Sequence, residues 1–197
     1  MLTEFAAFLE RLFPSIEPQA RRRFVDAIQK SEPLEKRLYA VAAPDGVCQG
    51  DIFEPLPFRY LDDDGQWLEQ TAPGLVMCNT CDAEWSELLP LAACHDFAEM
   101  ERDAAISATE GFLNSIRANE KTDVMYLPEV VAHRSLVCDF GAVSAFSRLW
   151  LQAAVRRGDV RRICSLSQLG YYMLLAKLTV YYMRPETDEI FRERGVE

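Results

Sequence analysis

Residues 50–65 read Gly50-Asp51-Ile52-Phe53-Glu54-Pro55-Leu56-Pro57-Phe58-Arg59-Tyr60-Leu61-Asp62-Asp63-Asp64-Gly65, and they set the fold class. Polar and apolar side chains alternate over 50–54 and again over 58–61, the two-residue period of a half-buried strand. Asp62-Asp63-Asp64-Gly65 then supplies the residues of a hairpin turn. Upstream the period is helical. Leu2, Phe5, Ala6, Leu9, Leu12 and Phe13 recur at three and four until Pro14, and a second helix is expected from about Pro18 to Lys30. A third short helical piece is expected over 34–41, and Ala43-Pro44-Asp45-Gly46 ends this helical lead of residues 1–46.

Downstream, Gly74-Leu75-Val76-Met77 and residues 88–93 are apolar runs of strand length, with Cys78-Asn79-Thr80-Cys81-Asp82 between them as a strand end and loop. A helical insertion at about 95–121 carries Phe97, Met100, Ala104, Ala108, Phe112 and Ile116 as its inner stripe. Met125-Tyr126-Leu127-Pro128 and Leu136-Val137-Cys138-Asp139 read as further short strands. Ser165-Leu166-Ser167-Gln168 is a capping-box pattern that opens a closing helix over 166–183, and Arg184-Pro185 stops it before a polar tail at 186–197. The fold expected is α+β: a small twisted antiparallel β-barrel over 47–185, preceded by helices and closed by a carboxyl-terminal one.

The chain has 197 residues, 49% hydrophobic and 26% charged, so folding would bury about 70% of its surface around one core. Its net charge is -10, which disfavours RNA and anionic membrane as partners. The charge is uneven: -9 over residues 41–94, -5 over 95–132 and +3 over 133–197. The basic concentration is Arg148, Arg156, Arg157, Arg161 and Arg162, interrupted by Asp159. Glu4 and Glu10 leave no basic start for a signal peptide. The apolar run 163–183 contains Ser165, Ser167, Gln168 and Lys177, which suits a core helix rather than a membrane span. The six scattered cysteines then read as reduced thiols of a cytoplasmic protein.

In order, these elements resemble the small β-barrel of the PemK/MazF-type growth-inhibitor toxins. Gly50-Asp51-Ile52 matches the opening of the first strand, and Gly74-Leu75-Val76-Met77 the strand after the first long hairpin. Leu88 to Ala92 and Met125 to Pro128 match the next two, Ser135 to Asp139 the strand entering the acidic-residue turn, and Ser165-Leu166-Ser167 the start of the closing helix. The resemblance implies an RNA-cleaving toxin whose phosphate is held by an Arg just before the second main strand, assisted by a Ser or Thr near that strand's end. Here Thr71-Ala72-Pro73 precede Gly74, so the Arg is missing, and Thr80 alone could stand for the hydroxyl. Two classes follow. One is a non-catalytic protein-interaction or regulatory module of a bacterial or phage toxin or defence system, binding a protein partner or itself. The other is a metal-independent endoribonuclease with relocated groups, for which Arg59, Thr80, Asp82 and Arg134 are the candidates.

Cys78-x-x-Cys81 has three readings: half of a zinc site with Cys94, His95, His133 or Cys138, a redox pair, or structural thiols. Asp82 stands where zinc knuckles usually carry Gly, and neither metal nor cofactor is expected. Thr80, Cys81 and Asp82 at a strand end form a candidate binding spot, with an Asx turn made by Asp82 as the alternative. Arg156, Arg157, Arg161 and Arg162 are either a solvated connection or a contact for a partner, including the acidic middle of a second copy. His95 and His133 have no spacing that argues for a base.

Overall fold

The computed structural model describes residues 38–43, 45–62, 64–103, 110–131 and 134–183. The helices expected within 1–30 and the tail at 186–197 lie outside these residues. The alternating run forms β1 (Asp51–Leu61), and after the acidic turn β2 (Trp67–Val76) returns antiparallel to it. β3 (Leu88–Asp96), β4 (Val124–Val131), β5 (Arg134–Ser147) and β6 (Arg161–Ser165) complete one antiparallel sheet in the order β4-β5-β3-β2-β1-β6. The helices are α1 (Thr80–Trp85), α2 (Phe97–Arg102), α3 (Glu110–Arg117), α4 (Arg148–Arg157) and α5 (Gln168–Met183).

Both faces of the sheet are covered, which is why its central strands read as near-continuous apolar runs. Ile52, Leu75, Ala92, Cys94, Met125, Leu136 and Cys138 face α5, which contributes Leu174 and Leu178. On the other face Phe53, Leu56, Val76, Leu91 and Phe146 meet Ala83 of α1 and Leu151 and Ala154 of α4. Farther along that face Val137 packs under Phe97, Leu113 and Ile116 from α2 and α3. Helix α4 starts where the Ser147 hydroxyl accepts the Trp150 N–H and stops at Gly158, whose φ of 80° suits glycine. Helix α5 is capped by Ser167, whose hydroxyl accepts the Gly170 N–H at 3.2 Å. Ser165, the expected cap, is instead the last residue of β6.

The closed barrel expected from the sequence is an open sheet, with β4 and β6 as its edges. Side chains and a short segment occupy the hydrogen-bonding positions that a closing strand would use. Along the outside of β4 the Asn119 amide accepts the Tyr126 N–H at 2.8 Å and donates to the Tyr126 carbonyl at 3.1 Å. The Lys177 ammonium donates to the carbonyls of Val124 and Lys121, and the Tyr39 hydroxyl to that of Pro128. Along β6, Ala40 N–H donates to the Ser165 carbonyl and Ser167 N–H to that of Leu38. Tyr39 forms a bridge with Leu166, so the described part of the piece at 34–41 is extended rather than helical.

Two irregularities shape the surface. β1 pairs with β6 only up to Glu54, and β2 joins β3 only from Gly74, so, among the described residues, 55–61 and 67–73 form a two-stranded ribbon paired only with itself. In β5 the register jumps from Val143 opposite Ala92 to Cys138 opposite Cys94, leaving residues 139–142 as a bulge against Ala93. Among the described residues, no helix is long and apolar enough to cross a membrane.

Candidate functional site

The strand end at Cys78 to Asp82 is the start of a helix rather than a loop. Asn79, not Asp82, makes the Asx-type cap, its side-chain oxygen accepting the Cys81 N–H at 2.9 Å. The Thr80 hydroxyl accepts the Gln49 N–H at 3.1 Å, which ties α1 to the entrance of β1. Cys81 and Asp82 are exposed. Cys78 is half-buried, and burial, with the Asp82 charge adding to it, pushes its thiol up. Cys94 lies in the interior with its thiol donating to the Ala92 carbonyl. Among the described residues no three His, Cys, Asp or Glu side chains gather in a way that could hold a metal ion.

The basic candidates are mostly held by carboxylates of their own chain. Glu54 accepts from Arg134 at 2.7 Å and from Arg161 at 2.8 Å, and Arg134 also reaches Asp96 at 3.1 Å. Burial raises the Glu54 carboxyl, but the two guanidiniums outweigh it and hold the group below its ordinary range. Arg162 pairs with the fully buried Asp51 at 3.0 Å. There burial wins, and the Asp51 carboxyl stays above its ordinary value despite the Cys48 N–H and Arg162 bonds. Arg157 pairs with Asp159, and Arg59 pairs with Glu69 and lies over the Trp67 ring. Arg156 has no ion pair among the described residues. Arg59, Thr80 and Arg134 are not brought together. Thr80, at the start of α1, bonds the entrance of β1, Arg59 lies near the far end of β1, and Arg134 is bound into the Glu54 network.

A cavity of about 430 Å³ lies between the ribbon and the bulge of β5. Phe58 and Tyr60 of β1, Gln70 of β2, His95 of β3, and Asp139 and Ser144 of β5 line it, over a floor of small residues that includes Ala93 and Ala142. Its volume is in the range of small-ligand sites. The bulge creates it: Asp139 Oδ1 accepts the Gly141 N–H at 2.8 Å and bends the strand away from Ala93. The ribbon curls over the gap, where the Ser144 hydroxyl meets the Arg59 carbonyl at 3.5 Å and Phe58 meets Phe146 edge to face at 5.3 Å. Among the described residues no Lys or Arg lines the cavity. The His95 imidazole and Asp139 Oδ2 have no hydrogen-bond partner among the described residues.

From the sequence His95 stands as a candidate zinc ligand beside Cys78 and Cys81, and nothing in the spacing connects it with Tyr60, Gln70 or Asp139. The local signal was Asp139-Phe140-Gly141, because a glycine two residues after Asp inside a strand pattern marks a bulge. No family model matches the chain, and no curated protein matches it. What is established is an α+β protein whose six-stranded antiparallel sheet has helices on both faces.

Proposed function

We propose that this chain is a non-catalytic protein-interaction or regulatory module of a bacterial or phage toxin or defence system, derived from a PemK/MazF-type barrel that has opened and lost its nuclease groups. The observation that carries the reading is the ribbon. Leu61 and Trp67 on one face of it, and Tyr60 and Leu68 on the other, are 41–61% exposed, with no strand paired beyond either edge among the described residues. Exposed apolar side chains gathered on one element mark interaction sites, and Trp and Tyr carry much of the energy at protein interfaces. Pro55 and Pro57 remove amide donors from the ribbon, which favours contact through side chains over strand addition. Nuclease chemistry is opposed by the separation of Arg59, Thr80 and Arg134, each with an intramolecular partner. The anionic charge of residues 41–94 also favours a basic protein partner over RNA.

The test pairs a double variant, Leu61→Ser with Trp67→Ser, with expression of the unaltered chain. Circular dichroism checks folding, while pull-down and light scattering across a salt series report complexes and self-association. The expected result is a folded variant that loses complexes formed by the unaltered chain, with weakening as salt screens exposed charges. Growth arrest with fragmented RNA on expression of the unaltered chain would overturn the proposal in favour of the endoribonuclease.

A further inference from the structure

We infer that the cavity between the ribbon and the β5 bulge receives a guanidinium side chain of the partner protein, with Asp139 as its anionic anchor. The inference rests on the interaction reading above and adds the chemistry of the occupant. Acceptors dominate the lining. Asp139 keeps one carboxylate oxygen for a ligand after Oδ1 takes the Gly141 N–H. Gln70 supplies an amide oxygen, and the Tyr60 and Ser144 hydroxyl oxygens can also accept. Tyr60 presents aromatic surface on the β1 side, above the buried Phe58. A planar cation that stacks on rings and donates in a fixed fork matches this combination of carboxylate, amide oxygen and aromatic wall.

An anion fits poorly. Among the described residues neither Lys nor Arg lines the cavity, and its carboxylate would repel a phosphate or carboxylate ligand. The surroundings point the same way, since Arg59 is the sole basic residue of the segment 41–94 and is already paired with Glu69. The floor of Ala93, Gly141 and Ala142 leaves room for a side chain to enter without displacing a bulky group. The cavity opens beside the exposed Tyr60 and its cross-strand neighbour Leu68, so a partner lying on that face of the ribbon could insert one arginine while its apolar residues cover Leu68.

The experiment titrates the full chain with Nα-acetyl-arginine amide, its neutral analogue Nα-acetyl-citrulline amide, and Nα-acetyl-glutamate amide. Amide and side-chain NMR shifts of Gln70, His95, Gly141 and Ser144 are the readout. Saturable shifts are expected with the arginine probe, with citrulline weaker by about tenfold or more, the factor a charged hydrogen bond supplies. Asp139→Asn, which keeps an acceptor for the Gly141 N–H, should lose binding by a similar factor with its other shifts unchanged. Equal binding of citrulline, preference for the glutamate probe, indifference to Asp139→Asn or absence of arginine shifts would each overturn the inference. The ribbon variant separates the two readings. If it abolishes protein complexes while the arginine probe fails, the cavity assignment falls and the interaction module stands. If the probe binds but the ribbon variant keeps every complex, the ribbon reading falls instead.

Discussion

Arg162→Met tests the buried ion pair that joins β6 to β1. Asp51 is fully buried, while the Arg162 side chain is 23% exposed and stacks near Phe53 at 5.8 Å. Methionine keeps most of the unbranched stem and removes the charge, so the buried carboxylate loses its cationic partner. Stripping one partner from a buried pair costs about 3–5 kcal/mol. Asp51 retains the Cys48 N–H bond at 2.8 Å, which places the expectation at the lower end, about 3 kcal/mol. For a chain of this size that lowers Tm by about 6–12 °C. The deficit should also depend on pH. A carboxyl held above its ordinary 3.8 binds its proton first in the folded chain. Its contribution is therefore complete below 3.8 and lost as pH rises through the folded value. Removing Arg162 lifts that folded value further, so the deficit should be smallest at acid pH and grow as pH rises through the folded values of the two proteins. Thermal melts of the unaltered chain, Arg162→Met, and Arg162→Met with Asp51→Asn supply the assay, and the double variant should regain much of the loss. A deficit under about 0.5 kcal/mol at neutral pH, or one that does not grow from acid to neutral pH, would refute the reasoning.

Three further outcomes are expected. Gly170→Ala usually helps a helix by about 1 kcal/mol, but here its Cβ would collide with the Leu38 carbonyl, so stability should fall and amide exchange at Ala40 and Ser167 should quicken. Lys177 is lowered to about 8 by burial, so the folded chain releases that proton before the unfolded chain does, and stability should rise by about 1 kcal/mol between pH 8 and 10. Lys177→Met should remove this rise in a pH series of melts. Asn119→Gly preserves the φ of 56° but deletes both bonds to Tyr126, and its urea midpoint should fall by the equivalent of about 1–2 kcal/mol with m unchanged.

The strand segments at 50–54, 58–61 and 74–77 and the acidic turn were legible as local signals, whereas residues 67–73 of β2 were hidden because Trp67-Leu68-Glu69-Gln70-Thr71 has no two-residue period. β6 was not, because Arg161-Arg162-Ile163-Cys164-Ser165 runs into the apolar helix behind it. Its strand character comes from pairing with β1, more than a hundred residues earlier, and from the Arg161–Glu54 and Arg162–Asp51 contacts. Helix α1 spans six residues, too few for a period to show. Whether the sheet closes is equally non-local, since Tyr39, Asn119 and Lys177 all act on β4 from outside it. The cavity draws its lining from four strands, so no spacing in the chain could assemble Gln70, His95 and Asp139 in advance.

The side chains that finish the outer border of β4 also impose an order on synthesis. Lys177 follows the Val124 carbonyl it holds by 53 residues, while Tyr39 and Asn119 precede that strand. At about 5–20 residues per second, the ribosome adds Lys177 roughly 3–10 s after Val124. During that interval β4 can be flanked on one side by β5 yet lack its last blocking group, and β1 still awaits β6. A nascent chain therefore passes through a period with two open strand borders, when chaperone binding or pairing with a neighbouring nascent copy competes with completion of the fold.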